Sequence, residues 1–326
     1  MENKQGKPKP RWRVLIGSRS FGKAFPEHLI QLKEAGCEAI ENTIGRAYCE
    51  MELLEELPGM DAIITGTDQL TAKVINAADT LKTIVKHGVG LDTIDLEAAR
   101  ARGIVVSCAP GAMQDSVADL TLALMLTAAR KIVPAHLGTR EGSWKAFFGM
   151  ELKDKALGII GLGRIGKAVC RRAQGFGMRV IAYDLYPDKD FAEANNVTFV
   201  TLEELLRTAD VVSLHAACEN IEKPIIGTSE LDKMKTTALL INTARGQLVD
   251  EKALVDALRE GKISGAGLDV FVKEPPTGSH LLELDNVVLT PHIGGQTMDG
   301  LRRMGEMTIE NCLRALRGEP PLYRVV

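Results

Sequence analysis

The chain has 326 residues, of which 45% are hydrophobic and 25% are charged, and its formal net charge is only -3. This length fits two domains of ordinary size, each with enough apolar residues for its own core. With this near-neutral charge, the chain has no global field that would attract nucleic acid or an anionic membrane surface. The most apolar stretch, 117–133, contains charged residues and falls short of the ~20 apolar residues that span a membrane. We therefore expect small-molecule partners, with no nucleic acid and no membrane.

The six cysteines are scattered along the chain without a C-x-x-C pair. A chain of this length does not need disulfides to stabilise its core, so this usage is typical of reduced thiols in the cytoplasm. We expect a cytoplasmic protein without a metal site.

Short apolar runs alternate with helical patterns from residue 13 onward. The strand-like runs in this first part are RVLIGS, CEAIENT, DAIITGT, KTIVKHG and IVVSCAPG. Strands that alternate with helices predict a parallel sheet covered on both faces. Pro110 and Gly111 then interrupt the pattern, and a long helix is predicted from Gln114 to Arg130.

A polar segment, HLGTREGSWKAFFGMELKDK, follows this helix and is predicted to be a connector. Its aromatic residues Trp144, Phe147 and Phe148 allow two interpretations. They either form a contact between subunits or pack locally over the neighbouring helix.

A second alternation begins at residue 156 and predicts a six-stranded sheet of the dinucleotide-binding type. Its strands are ALGIIG, RVIAYD, DVVSLH, ALLINT, SGAGLDV and NVVLT. The last helix, predicted from Thr297 to Arg317, lies outside the alternation and is expected to pack back on the first sheet. The prediction is therefore a discontinuous first domain, residues 1–107 and 296–326, with a second domain, residues 108–295, inserted into it.

A G-x-G-x-x-G motif directly follows the first strand of the second alternation and directly precedes a helix. It comprises Gly161, Gly163, Arg164, Ile165 and Gly166. Such glycines allow the backbone to approach a pyrophosphate, and the helix N-terminus offers free N–H groups to its charge. Because strand, turn and helix are all present, the motif predicts a dinucleotide site rather than tight packing alone.

Asp184 ends the following strand, eighteen residues past Gly166. A carboxylate at this position accepts hydrogen bonds from the ribose hydroxyls and repels a 2′-phosphate, which favours NAD over NADP. The alternative is that Asp184 is simply a turn residue at a strand end.

Three further candidates for chemistry follow buried strands of the second alternation: Arg245, Glu274 and His292. A histidine can transfer a proton near neutral pH, a carboxylate can fix its tautomer, and a guanidinium can clamp a substrate carboxylate. Gly246 is expected to leave room for a ligand beside Arg245. Each residue also has a purely structural interpretation, as a satisfied loop histidine, a solvated turn residue or an ion-pair partner. Their shared position after strand ends favours catalysis.

These residues resemble those of the D-isomer-specific 2-hydroxyacid dehydrogenases, most closely the D-3-phosphoglycerate dehydrogenase branch. The segments that carry the resemblance are His87–Asp92, Gly161–Gly166, Asn242–Gly246, Leu248–Asp250, Gly267–Phe271, Glu274–Pro275 and Pro291–Gly295. The resemblance implies an α/β fold of two doubly wound parallel sheets, in which a Rossmann NAD-binding domain is inserted into a flavodoxin-like substrate domain.

The resemblance also implies the roles of the site residues. Arg245 would bind and polarise the substrate, His292 would be the acid/base and Glu274 its carboxylate partner. Backbone N–H groups around Val89 and Gly90 would hold the substrate carboxylate. The remaining residues assigned to the NAD site in this way are His215, Ala216, Thr243, Ala244, Asp269 and Gly294, together with Arg245 and His292.

The chain departs from this pattern where the branch usually binds the substrate phosphate. An arginine is common after the third strand, but this chain has Thr65 there. Thr65, Thr67 and Lys86 are alternative donors for an anionic substrate tail. Ala216 stands where a proline is frequent, and Cys108 and Met113 stand where asparagines are frequent.

The expected function is therefore NAD-dependent oxidation or reduction of a small 2-hydroxy or 2-keto acid, with D-3-phosphoglycerate as the leading substrate. Glyoxylate, hydroxypyruvate and sulfolactate-type acids remain open. A different class also remains open, an NAD-sensing binding protein similar to transcriptional corepressors of the C-terminal-binding-protein kind. We expect a homodimer through the helix from Gln114 to Arg130.

Overall fold

Two parallel sheets organise the chain in the computed structural model, which describes residues 10–218 and 223–326. The first compact unit comprises Met1–Met113 and Thr297–Val326, and the second comprises Gln114–Gln296. The first unit is thus discontinuous in sequence. The units divide at residues 113/114 and 296/297, whereas the predicted domain boundaries lie at 107/108 and 295/296.

The first unit contains a five-stranded sheet in the order β2-β1-β3-β4-β5, with parallel pairing throughout. This is the flavodoxin-like order. Its strands are β1 (Trp12–Ile16), β2 (Cys37–Glu41), β3 (Ala62–Thr65), β4 (Thr83–Lys86) and β5 (Val105–Ser107). Its helices are α1 (Glu27–Glu34), α2 (Glu50–Glu56), α3 (Ala72–Ala77), α4 (Leu96–Ala101) and α12 (Met298–Leu316).

The central strands of this sheet are apolar because both of their faces are covered. Ile63, Ile64, Ile84 and Val85 are fully buried, as expected for a doubly wound parallel sheet. Helix α12 packs against β3 and β4, so the expected return of the last helix to the first sheet is confirmed.

The second unit contains a seven-stranded parallel sheet in the order β12-β11-β10-β9-β6-β7-β8. Read from β8 inward, this is the dinucleotide-binding strand order extended by one edge strand. Its strands are β6 (Ala156–Ile160), β7 (Arg179–Tyr183), β8 (Thr198–Phe199), β9 (Val211–Leu214), β10 (Leu239–Asn242), β11 (Gly265–Leu268) and β12 (Val287–Leu289). Its helices are α5 (Gln114–Ala129), α6 (Ile132–Arg140), α7 (Arg164–Gly175), α8 (Lys189–Ala194), α9 (Leu202–Thr208), α10 (Thr228–Leu231) and α11 (Glu251–Arg259), with 3₁₀ turns at Gly246–Leu248 and His280–Glu283.

Four elements of this unit were missed by the sequence prediction. The prediction of six strands was wrong because the two-residue strand β8 is too short to show a pattern. Helices α8 and α10 are also short, with 6 and 4 residues. Helix α6 covers the first part of the segment predicted to be a connector, where Pro134 and Gly138 disguise the helical pattern.

Two of the three aromatic residues that follow α6 do not pack locally. Trp144 is 93% exposed and Phe148 is 88% exposed, so the interpretation of local packing over the neighbouring helix was wrong for these two residues. Within the described part of the chain, no helix has the length and apolar character required to cross a membrane.

Candidate active site

The glycine-rich loop between β6 and α7 places its three glycines in different surroundings. Gly161 has a φ of +95°, and a Cβ atom on it would lie 2.5 Å from the backbone N of Ala216. A Cβ on Gly166 would lie 2.2 Å from the carbonyl oxygen of Gly161. Packing of the protein therefore explains why both positions lack a side chain.

Gly163 differs from these two glycines because protein packing does not require it. It has an ordinary φ of -74°, and a Cβ on it would meet no described atom within 4 Å. This glycine is the residue before α7, whose first turn begins with Arg164 and Ile165. The first N–H groups of a helix have no partner within the helix. Open space in front of such N–H groups fits a pyrophosphate that approaches the backbone closely.

Asp184 follows β7 directly, beside the glycine-rich loop. Its two carboxylate oxygens accept the backbone N–H of Leu162, at 2.6 Å, and that of Tyr186, at 2.8 Å. The carboxylate is thus held in place while it stays partly exposed. A carboxylate has about four acceptor positions, so two remain for ribose hydroxyls. These residues fit the NAD cofactor that the motif predicts.

His215 follows β9, next to Ala216 and the glycine-rich loop. Its Nε2 lies 2.8 Å from the hydroxyl of Ser213, and its Nδ1 is buried with no partner among the described residues. Burial lowers the pKa of His215 to about 3. A neutral imidazole of this kind does not serve as the proton donor at neutral pH, in agreement with the expected place beside the cofactor rather than in the chemistry.

Arg245 lies in a tight loop after β10 that the buried side chain of Asn242 shapes. The Asn242 amide accepts the N–H of Ala244 at 3.0 Å and donates to the carbonyl of Arg245 at 2.8 Å. The guanidinium itself donates to the carbonyl of Ala244 at 2.7 Å and is half-buried. The side chain of Asn242 therefore fixes the backbone of this loop through two hydrogen bonds, a role that the sequence prediction did not assign.

Gly246 does not leave room for a ligand, contrary to the expectation. A Cβ on this residue would lie 2.0 Å from the carbonyl carbon of Phe271 and 2.3 Å from the backbone N of Val272. The backbone after β11 fills the space instead. Gly246 thus brings the loop of Arg245 against the turn that carries Glu274.

Thr243 has a fixed hydroxyl orientation. Its oxygen lies 2.8 Å from the hydroxyl of Thr121 in α5, which donates to the carbonyl of Val117. Because each hydroxyl has only one proton, Thr243 donates to Thr121 and keeps its own oxygen available as an acceptor. The expected contact of Thr243 and Ala244 with the nicotinamide remains a prediction.

His292 and Glu274 form the central pair of the site. The Nδ1 of His292 lies 2.8 Å from Oε2 of Glu274, and the two side chains are 44% and 37% exposed. A carboxylate partner at Nδ1 fixes the tautomer with its proton on that nitrogen and leaves Nε2 for a substrate. His292 adopts a φ of +53°, which is uncommon outside glycine and marks a strongly constrained backbone.

The electrostatic surroundings keep Glu274 ionised. Burial alone raises the pKa of this carboxyl group. The hydrogen bond and charge of His292, the N–H of Phe271 and the charge of Arg245 together bring the pKa below its ordinary value. Glu274 is therefore a carboxylate at neutral pH and can balance the charge of a protonated His292.

Asp269, which is 1% exposed, supports the backbone that carries His292. Its carboxylate accepts the hydroxyl of Thr290 at 2.6 Å and the N–H groups of Ile293 and Gly294, both at 2.8 Å. Its own carbonyl accepts the N–H of His292 at 2.9 Å. Asp269 and Gly294 thus belong to the support of the histidine, while their expected contact with NAD remains a prediction.

The structure therefore brings together three residues that are far apart in sequence. Arg245, Glu274 and His292 follow the adjacent parallel strands β10, β11 and β12, whose carboxyl ends form one edge of the sheet. Ligands of open α/β sheets bind at this edge. A proton donor, its carboxylate partner and an anion-binding guanidinium at one edge can bind a 2-keto acid and protonate its carbonyl oxygen when a bound cofactor supplies the hydride.

The substrate-binding residues expected in the first unit follow β4. Val89 is 44% exposed and Gly90 is partly exposed. Thr65 is fully buried, and its hydroxyl donates to Asp68 at 2.8 Å, so its proton is not available to a substrate phosphate. The ammonium group of Lys86 donates to the carbonyl of Gly66 at the same edge.

Comparisons with known proteins agree with this geometry. Residues 122–294 match the family model for the NAD-binding domain of D-isomer-specific 2-hydroxyacid dehydrogenases. A glyoxylate reductase of Korarchaeum cryptofilum is 44% identical over 82% of this chain and 83% of its own length. A D-3-phosphoglycerate dehydrogenase of Methanocaldococcus jannaschii is 45% identical over 88% of this chain, which spans only 55% of that longer protein.

Among solved structures, the TT0316 protein of Thermus thermophilus is similar with a TM-score of 0.87 and 42% identity, over 96% of this chain and all of that one. The fold class expected from the sequence is confirmed. The chain belongs to the family of NAD-dependent, D-isomer-specific 2-hydroxyacid dehydrogenases.

Proposed function

We propose that this enzyme interconverts a D-2-hydroxy acid and the corresponding 2-keto acid, with D-3-phosphoglycerate as its leading substrate. The observation that carries the proposal is the 2.8 Å bond between His292 and Glu274, at the sheet edge that also presents Arg245. NADH supplies the hydride that the carbonyl carbon accepts.

His292 is the proton donor in the direction of reduction. Its Nδ1–H is bound to Glu274, so a protonated imidazole presents Nε2–H to the substrate carbonyl. The proton passes from Nε2 to the carbonyl oxygen as the carbon receives the hydride, and His292 is left neutral. In the direction of oxidation, neutral His292 takes the hydroxyl proton back.

Glu274 and Arg245 provide the electrostatic part of the proposed mechanism. The carboxylate of Glu274 stabilises the imidazolium before proton transfer. The guanidinium of Arg245 binds the substrate carboxylate and polarises the carbonyl, which favours negative charge on the oxygen in the transition state.

A second candidate substrate class is glyoxylate or hydroxypyruvate, which carry no phosphate. The burial of Thr65 and its bond to Asp68 favour this candidate, because the position where an arginine would bind phosphate offers no donor. A phosphate or sulfonate tail would depend on Thr67, which is exposed, or on Lys86.

A substrate panel separates these candidates. NADH oxidation would be measured with 3-phosphohydroxypyruvate, hydroxypyruvate, glyoxylate, pyruvate and 3-sulfopyruvate. The highest kcat/KM with 3-phosphohydroxypyruvate would support the leading substrate and would require Thr67 or Lys86 to bind its phosphate. A preference for an unphosphorylated acid would replace the leading substrate, and no turnover at all would favour the binding-protein alternative.

We also propose that the enzyme is a cytoplasmic homodimer. The six cysteines are scattered along the sequence without a C-x-x-C pair, a usage typical of a reducing compartment. Ile132, Leu137, Trp144 and Phe148, which follow the predicted interface helix α5 in sequence, each expose apolar surface. A surface of this kind on a second copy would cover it in a two-fold pair. Light scattering should give a dimer at micromolar concentration, and Trp144→Lys with Phe148→Lys should give monomers.

A further inference from the structure

The turn that carries Glu274 is hydrogen-bonded to Glu251, a carboxylate outside the catalytic pair. Backbone N–H groups of two consecutive residues point to two different carboxylates. Val272 N–H donates to Oε1 of Glu251 at 2.7 Å, whereas Phe271 N–H donates to Oε1 of Glu274 at 3.2 Å. The Phe271–Val272 peptide, which donates to Glu251, thus follows directly after the peptide that donates to Glu274, the partner of His292.

The same peptide is also the contact point of the Arg245 loop. The tight packing of Gly246 against Phe271 and Val272 leaves no space for a side chain between the two segments. A shift of this peptide would therefore move Glu274 relative to Arg245. The arrangement couples the anion-binding side of the site to its proton-transfer side.

Glu251 is well placed to act as an anchor because it begins helix α11. Asp250 caps this helix by accepting the N–H of Ala253 at 3.0 Å. The helix buries Leu254 and Leu258 in the core of the second unit. A carboxylate on a rigid helix can hold this turn at a fixed position, where the side chain of Val272 is 50% exposed.

We propose that Glu251 is a positioning residue that holds Glu274 in bonding distance of His292. This inference rests on the proposed function, in which that pair transfers the proton. Glu251 makes no contact with the reacting groups in the proposed mechanism. Its oxygen is required as an acceptor, and its charge is not.

The test compares two variants of Glu251 with a matched control on the same helix. Glu251→Ala removes the acceptor, whereas Glu251→Gln keeps a carbonyl oxygen for Val272 N–H and removes only the charge. Glu260→Ala removes a carboxylate from the other end of α11, where it pairs with Lys262 at 3.3 Å. All three would be assayed for kcat, KM for the keto acid, NADH affinity and thermal midpoint.

We expect Glu251→Ala to lower kcat by about 3- to 10-fold, the range of one lost hydrogen bond, with NADH affinity unchanged. Glu251→Gln and Glu260→Ala should keep kcat within about 2-fold of wild type. Loss of the first helical carboxylate also weakens α11 in both Glu251 variants, so a lower thermal midpoint alone does not count as support. An unchanged kcat in Glu251→Ala, or an equal loss in Glu251→Gln, would overturn the proposal.

A spectroscopic measurement keeps this test independent of turnover. The imidazole resonances of His292 in ¹⁵N spectra would be assigned with a His292→Gln variant. Glu251→Ala should shift them and Glu251→Gln should not. If wild type turns over no keto acid, the proposed function fails, and these resonances still decide the positioning claim: unshifted resonances in Glu251→Ala refute it.

Discussion

Each of the two sheets has a histidine at its carboxyl edge, and the two histidines differ in exposure and in hydrogen-bond partner. At the edge of the second sheet, the Nδ1 of His292 lies 2.8 Å from a carboxylate and its side chain is 44% exposed. At the edge of the first sheet, the Nδ1 of His87 lies 3.1 Å from the hydroxyl of Thr308, and its Nε2 is buried with no partner among the described residues. Of these two histidines, only His292 can exchange a proton with a substrate.

The comparison shows that a histidine at a strand end needs both a charged partner and access to be an acid/base. Thr308 donates its hydroxyl proton to the carbonyl of Met304 at 2.7 Å, so the Nδ1 of His87 must donate to Thr308. Burial, followed by the charges of His28 and Lys86, lowers the pKa of His87 to about 3. His28 is buried as well.

Replacement of His292 should have the largest effect. His292→Ala removes the proton donor, so we expect kcat to fall by ~10²–10⁴. NADH affinity, measured by fluorescence titration, should change little. His87→Gln is the matched control from the other edge, and its kcat should stay close to that of wild type. An equal loss of kcat in the two variants would contradict the assignment of proton transfer to His292 alone.

Replacement of Arg245 should come next. Arg245→Met removes a charge-assisted, two-point contact with the substrate carboxylate, so kcat/KM should fall by about 10²–10³-fold. Arg245→Lys keeps the charge without the planar fork and should recover only part of the loss. Full recovery with lysine would show that the guanidinium geometry has no role.

Glu274→Gln keeps the size of the side chain and removes its charge. Because the imidazolium loses its ionised partner, kcat should fall by about 10- to 100-fold, with KM less affected. Glu283→Gln is a suitable control, since Glu283 also contacts a histidine, His280, at 3.2 Å in an exposed position. A loss confined to KM would contradict the role of Glu274 as partner of His292.

Asp184→Ala should weaken NADH binding by about 10-fold, because both the ribose contact and the support of the glycine-rich loop are lost. Asp190→Ala removes a nearby exposed carboxylate as a control. Titration of NADH and NADPH would measure the change. Unchanged discrimination between the two cofactors would remove Asp184 from the ribose site.

Replacement of His87 should have the smallest effect on activity and a measurable effect on stability. Its pKa in the folded state, about 3, lies below the ordinary value of 6.5, so the unfolded chain binds the proton first as the pH falls. The stability that the neutral ring contributes is complete above pH 6.5 and is lost as the pH falls toward 3. In His87→Gln, the free energy of unfolding should therefore decrease less steeply than in wild type between pH 6.5 and 3. An equally steep fall in denaturant titrations would contradict this assignment.

The positions of most strands and the edge residues could be predicted because buried parallel strands are continuous apolar runs and active residues follow their ends. His292, Glu274 and Arg245 were found in this way. The roles of Asn242, Glu251 and the buried Asp269 could not be predicted, because each depends on backbone groups brought close only by the fold. For the same reason, Gly246 was assigned to ligand space, although the backbone at Phe271 occupies it.

The configuration of the product tests the central claim most directly. The purified enzyme would reduce the best 2-keto acid of the panel other than glyoxylate, whose product is achiral, with NADH, and chiral chromatography would identify the 2-hydroxy acid formed. We expect the D-isomer alone, formed in an amount equal to the NADH consumed. The L-isomer, a racemic product or NADH oxidation without a hydroxy acid would contradict this claim.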